Sequence, residues 1–485
     1  MTNANLFKLG GIAGAVAAAF SGHALALAPA AFNVVPGDTL EVYIGGASAQ
    51  DQGLIALSTR LCALNSMDFY QSGANQRAVF CTPNTTQLPG LSKTKLVIYK
   101  MSAGGSGNGV QPVADSTSLD FMDMATIKAT PALCTAGSPV ASVAPVAPDT
   151  IGLPAYNTWS CTSGSILSAV HAPDGGLSDV EPALLSATPT QVGKLDFKGA
   201  NQLIFAIPAT TGLRNALQTA QGLSAGADDE ANMPSLTRSQ INGIFTGQLA
   251  TWDGLASNTG VALTNPDDVA NTVYVVRRPN TSGSETITRV YFMNIPCAAG
   301  VADMIGSTSA EAAGLCGVNA TFTGSGAGDV ATCLNTLQVA KKWGIGLLST
   351  EVSPTAAYGF RYIKIDGKAP TLLNMAETQY QFYAEQSMQW RKVLPIASDT
   401  YKVLNPIRTK LSDPVVIRAL NSPFAQLYGQ AGIMATPLNA TPSSLPYTAA
   451  NLLANPVNST SKSVLGGLNN CQPPQVAAPT DTFKQ

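Results

Sequence analysis

The chain has 485 residues, 45% of them hydrophobic and 12% charged, with a formal net charge of −2. That charge density is well below the ~25% usual for globular domains, and the near-neutral balance offers no basic face for nucleic acid or an acidic membrane surface. No uninterrupted apolar run reaches the ~20 residues that a bilayer span needs, so the composition predicts a neutral, loop-rich, soluble protein of two or three domains.

The first predicted element is a secretory signal peptide. Lys8 precedes the short apolar run "LGGIAGAVAAAF", and "SGHALA" ends in the small-x-small pattern Ala24–Leu25–Ala26, which predicts cleavage after Ala26. No cysteine lies near that point to carry a lipid, so a periplasmic or secreted protein is expected. All eight cysteines follow the signal, and an even number in an exported chain suggests disulfides. Sequence neighbours are the cheapest pairs: Cys62–Cys81, Cys134–Cys161 and Cys297–Cys316, which leaves Cys333 with Cys471. A structural zinc site is disfavoured, because no CxxC pair exists and His171 is the sole histidine of the mature chain.

Further along, "TLEVYIGGASAQ" alternates Leu40, Val42 and Ile44 as a strand, turns at Gly45–Gly46, and leads to a helical face of Leu54, Leu57, Leu61 and Leu64. "TKLVIYKMSAGGSGNGV" repeats the strand and glycine-serine turn. From Ala129 to Thr158 the composition shifts to Pro, Ala, Ser and Thr, which predicts an inserted surface loop. "QLIFAIP" predicts a strand stopping at Pro208, and "SLTRSQINGIFTGQLATW" a helix with Thr237 and Gln240 at capping-box spacing. Its buried face is Ile241, Ile244, Phe245 and Leu249. "VVRRPNTSGSET" predicts a buried strand, a loop of small hydroxyl residues, and a helix through Ile287, Val290 and Tyr291. "KKWGIGLLS" and "FRYIKIDGKAP" predict further strands, residues 375–393 a helix, and the segment after Thr436 an irregular tail. Strands alternating with helices define an α/β architecture.

Three strand-to-helix turns place glycine and serine where backbone N–H groups would be free, at Ser48, at Ser106 and at Ser282–Ser284. Such turns favour an anion, and Arg278 beside the third would add a full positive charge.

"VVRRPNTSGSETITRVYF" closely resembles the arginine–serine–glycine loop of the periplasmic phosphate-binding proteins of ABC transporters. "LTRSQINGIFTGQLATWDGL" is similar to the helix and tryptophan upstream of that loop. "GLSDVEP" resembles the family's Ser–Asp turn, and "YIGGASA" and "GGSGNGV" its first two anion-contacting turns. "KKWGIGLLS" and "YIKIDGKAPT" resemble the return crossing and the following strand. The likeness runs in order from Leu40 to Trp390, with large insertions.

The resemblance implies a two-lobed class II periplasmic-binding-protein fold with a ligand cleft between lobes. Residues 1–26 would be signal peptide and 27–205 the first part of lobe 1, with an insertion at about 129–177. Lobe 2 would span 206–345 and the rest of lobe 1 346–435, with 436–485 an irregular C-terminal extension. Crossings would fall near Leu203–Ile207 and Gly344–Leu348. Ligand contacts carried over from the family fall on Ser48, Ser106, Asp179, Arg278, Ser282, Gly283 and Ser284. The family's aspartate two residues after the arginine is here Asn280, an amide that can hydrogen-bond but cannot form that ion pair.

The ligand implied is inorganic phosphate or a related oxyanion, with no cofactor, no metal and no catalytic residues; an ABC-type permease would be the downstream partner of a monomer. Asp179 repels an anion unless the ligand brings a proton for it to accept, which phosphate does at neutral pH and sulfate does not. Two other functions compete: an extracellular or surface interaction protein reusing the fold, and a hydrolase, which would need an activated nucleophile or metals.

Overall fold

The computed structural model describes residues 29–162, 167–354, 357–463 and 467–477; the signal segment lies outside them. The strands that frame the two lobes are, in chain order, β1 (Thr39–Gly46), β2 (Asp68–Ser72), β3 (Gln76–Cys81), β4 (Lys95–Met101), β5 (Cys134–Ala136), β6 (Asn157–Cys161) and β7 (Gly175–Ser178). Then come β8 (Leu195–Thr210), β9 (Tyr274–Arg277), β10 (Thr321–Thr323), β11 (Gly344–Gly346), β12 (Leu348–Ser349), β13 (Phe360–Ile365) and β14 (Tyr383–Arg391).

Two half-sheets share one strand. The first runs β5-β6-β2-β3-β4-β1-β7-β14-β8, and the second runs β10-β9-β11-β8-β13. The strand common to both is β8. Its first part, Leu195–Ile204, pairs antiparallel with β14, and its last residues, Ile207–Thr210, pair with β13. At the change of partner Phe205 and Ala206 face Ser349 and Leu348 of β12, the return crossing. The chain is therefore a two-lobed α/β protein whose lobes are joined by a pair of antiparallel crossing strands. The sequence places the end of this strand at Pro208, but the strand continues through it, with Pro208 opposite Tyr362. One missing N–H is tolerated close to where the ladder changes partners.

Helix α1 (Asp51–Leu61) packs Leu54, Leu57 and Leu61 against β1 and β4. Each such side chain contributes ~1.5–3 kcal/mol of burial. Leu64 falls beyond the helix end and is 68% exposed, so the expected fourth residue of that face is absent. Helix α2 (Arg238–Phe245) carries the Thr237–Gln240 capping box and buries Ile241, Ile244 and Phe245.

Three expectations need correction. Residues 375–393 are not a helix: after a single turn at Leu372–Ala376 the segment becomes β14. This strand lies between β7 and β8 and is buried from Tyr383 to Trp390, polar Glu385, Gln386, Ser387 and Gln389 included, so alternation of polar and apolar residues is confined to Ser387–Trp390. Cys62–Cys81 and Cys134–Cys161 pair as expected, but Cys316 joins Cys333 and Cys297 joins Cys471. Cys316 has a near neighbour on either side, and two loops of similar length differ little in closure entropy. Finally, neither presumed irregular segment is wholly so. Val140–Val146 is exposed, but β6 extends the first half-sheet beside β2. The tail holds a helix at Ala449–Ala454 and buries Asn458, Thr460, Ser463 and Asn470.

Candidate functional site

Strands β4, β1 and β7 are adjacent and parallel, so their C-terminal ends open on one edge. The edge outside the carboxyl ends of parallel strands is where α/β sheets hold ligands. Ser48 begins a single 3₁₀ turn between β1 and α1. Ser106 lies in a 3₁₀ turn after β4, entered through Gly104 and Gly105 at φ 73° and 71°. Asp179 follows β7 directly. Glycine is required where these turns meet. A Cβ on Gly46 would stand 2.1 Å from the Leu177 carbonyl oxygen, and one on Gly176 would stand 1.8 Å from that of Gly109.

The second half-sheet supplies the opposing wall. Strand β9 ends at Arg277, Arg278 follows, and Ser282 is the N-cap of helix α3 (Gly283–Thr288). The two walls touch. Arg278 Nη1 donates to Ser48 Oγ at 3.1 Å, and Ser284 Oγ donates to Asp179 Oδ2 at 3.2 Å. Thr281 Oγ1 donates to the Gly104 carbonyl at 2.8 Å, while the Gly107 N–H donates to the Thr281 carbonyl at 2.8 Å. Ser106 Oγ accepts the Asp179 N–H at 3.0 Å. A Cβ on Gly283 would be 2.3 Å from Ser106 Oγ, and one on Gly105 would be 2.9 Å from Ser282 Cα. Ser48, Ser106, Asp179, Arg278, Ser282, Gly283 and Ser284 thus converge on one corner. Ser106, Asp179, Arg278, Ser282 and Ser284 are all buried there.

Asn280 is the exception. Its N–H donates to the Thr308 carbonyl at 3.0 Å, and its Oδ1 accepts from Arg277 Nη2 at 2.6 Å. It serves the neighbouring arginine rather than Arg278. Arg277 Nη2 also pairs with Glu285 Oε1 at 2.5 Å, and its Nη1 donates to the carbonyls of Met304 and Ile305.

The electrostatics separate the two arginines. Arg278 donates Nε to the Gly324 carbonyl at 3.0 Å and Nη2 to that of Ser325 at 2.8 Å, and among the described residues it forms no ion pair with a carboxylate. Burial pulls its pKa down, against the attraction of Asp179, Asp329, Glu285 and Asp51. Burial likewise pushes the Asp179 carboxyl above the ordinary aspartate range, against Gln386, Arg278 and Ser284. Gln386 Nε2 donates to Asp179 Oδ1 at 2.9 Å. This residue escapes a reading of the sequence because it sits on β14, whose pattern suggests a helix. The Gly324 and Ser325 carbonyls escape too, since a backbone acceptor has no side-chain signature.

His171 stacks on the Tyr43 ring at 4.3 Å. Among the described residues no group of three or more His, Cys, Asp or Glu is placed to hold a metal ion, and no helix is long and apolar enough to cross a membrane.

The fold is thus a two-lobed α/β one with a polar corner where the lobes meet. No protein-family model matches the chain, and no curated protein matches it in sequence. Solved structures do. One, from Clostridium perfringens and described as a phosphate ABC transporter substrate-binding protein with bound phosphate, is 12% identical with a TM-score of 0.42, over 81% of this chain and 100% of that one. A DING protein is 15% identical with a TM-score of 0.41, over 75% and 85% of the two chains. A phosphate-binding protein from Stenotrophomonas maltophilia is 12% identical with a TM-score of 0.39, over 79% and 89%.

Proposed function

We propose that the protein is a periplasmic or secreted solute-binding protein that captures phosphate, or a closely related oxyanion, between its lobes. The observation that carries this reading is a buried guanidinium with no carboxylate partner among the described residues, facing Ser48 and close to a carboxyl that burial keeps protonated more readily than usual. A desolvated charge is costly unless it is paired. An oxyanion would supply the pairing at Arg278 and would exchange its water shell for the hydroxyls of Ser48, Ser106, Ser282 and Ser284. An ABC-type permease would then be the recipient.

Asp179 sets the selectivity. One proton must lie between its carboxylate and any bound oxyanion. Phosphate brings that proton at neutral pH, whereas sulfate binds only while Asp179 keeps its own. Asp179 has a raised pKa, so it holds its proton below that value and loses it as pH rises. Calorimetry from pH 5 to 8.5 is expected to show phosphate affinity holding within a few-fold. Sulfate affinity should fall toward tenfold per pH unit above the Asp179 pKa, following proton linkage. Parallel pH profiles for the two anions would reject this role for Asp179, and no phosphate binding at millimolar concentration would favour an extracellular interaction protein instead.

A further inference from the structure

Beside the arginine corner a cavity of about 450 Å³ opens between the lobes, with Ser48 in its wall. Ser48 therefore belongs to both spaces, since its hydroxyl also accepts from Arg278. Two carboxyl groups line the cavity, and their surroundings differ. Asp51, in the first turn of α1, is satisfied: Arg77 Nη1 stands at 2.8 Å, Lys100 Nζ at 3.1 Å, and Ser102 Oγ donates at 2.7 Å. Glu351 is not. It follows the return crossing, is 6% exposed, and its Oε1 has no hydrogen-bond partner among the described residues, the carboxyl receiving support only from the Gly53 N–H and the charge of Arg77. Ser349 Oγ, in the same wall, is also buried without a hydrogen-bond partner among the described residues. Burial pushes the Glu351 carboxyl well up, and the charges of Asp51 and Asp179 add to this; the Gly53 N–H and Arg77 act against it.

A buried acceptor left unmade is costly; Arg77, the cation in the same wall, is paired with Asp51, so a second cation would relieve Glu351 further. Tyr358 and Phe424 give the same cavity an aromatic wall suited to a short hydrocarbon linker. We propose that the cleft takes a zwitterionic organophosphate: a small phosphate monoester or phosphonate whose phosphoryl group sits at Arg278 and Ser48 and whose ammonium group reaches Glu351. This rests on the oxyanion reading above and adds the substrate class.

The test is calorimetry on the full mature chain with three probes: inorganic phosphate, ethyl phosphate and 2-aminoethyl phosphate. The amine is expected to bind at least tenfold tighter than the ethyl ester. In Glu351→Gln that ratio should collapse to within twofold, while inorganic phosphate, the control for folding and for the arginine corner, binds as before. Equal affinities for the two esters in the native chain, or a ratio that persists in Glu351→Gln, would overturn the inference and leave the oxyanion reading intact. Tight binding of the amine without any of inorganic phosphate would do the reverse, upholding the organic ligand and removing the inorganic one.

Discussion

Arg277 and Arg278 are neighbours in sequence and equally buried, each 1% exposed, yet they occupy opposite electrostatic settings. Successive residues leaving a strand point to opposite sides. The side chain of Arg277 enters the body of its lobe, where Glu285 pairs with it and Asn280 and three carbonyls accept its remaining hydrogen bonds. That of Arg278 enters the junction between the lobes and, among the described residues, hydrogen-bonds two carbonyls and the Ser48 hydroxyl. One charge is paired within its lobe, and the other has no carboxylate partner among the described residues. Charge and burial alone do not distinguish the two; the partner set does.

Four substitutions test that contrast. Arg277→Ala should be the most damaging, because it strands Glu285, whose carboxyl burial already pushes up to about 7. Breaking one half of a buried pair costs ~3–5 kcal/mol, read by chemical denaturation at pH 8. Glu285 carries its proton below about pH 7, so the deficit should shrink at pH 5; a deficit independent of pH would show that the ion pair is not what matters. Arg278→Ala should leave folding largely intact and lower phosphate affinity by ~100-fold or more, as for a desolvated charge contact, and unchanged affinity would mean the corner is misassigned. Asp179→Asn should narrow the phosphate-to-sulfate affinity ratio at pH 8 by ~10-fold, the scale of one charge-assisted hydrogen bond; an unaltered ratio would put selectivity elsewhere. Asn280→Asp should have the smallest effect, within ~3-fold on either anion, because position 280 faces Arg277 and adds its charge away from the ligand. A larger shift would show that Asn280 does reach the site.

Much of the corner was legible because its parts are local. Each turn announces itself by glycine and serine after an apolar strand, and Gly46, Gly105 and Gly283 stand where a Cβ would meet another turn. The strand crossing, which the resemblance implied near Leu203–Ile207 and Gly344–Leu348, does lie at the junction of the half-sheets. What stayed hidden depends on the far ends of the chain meeting. Strand β14 is buried from Tyr383 to Trp390 and alternates only over Ser387–Trp390, too short a run to mark the strand, and Gln386 was hidden with it. The partner of Cys297 lies 174 residues away, a pairing that no local rule ranks above its rivals. Asn280 was placed correctly at the loop, but the direction of its side chain follows from Arg277 and Glu285, which only the folded chain brings within reach.

That distant cystine has a mechanical meaning. Asn470 donates to both carboxyl oxygens of Glu181, two residues beyond Asp179, and to the Glu385 carbonyl, while Cys471 is bonded to Cys297, downstream of the helix that carries Ser284. The last stretch of the polypeptide therefore behaves as a leash fastened to both jaws. Any movement that separates Ser284 from Asp179 would have to carry this leash along or break its contacts at Glu181.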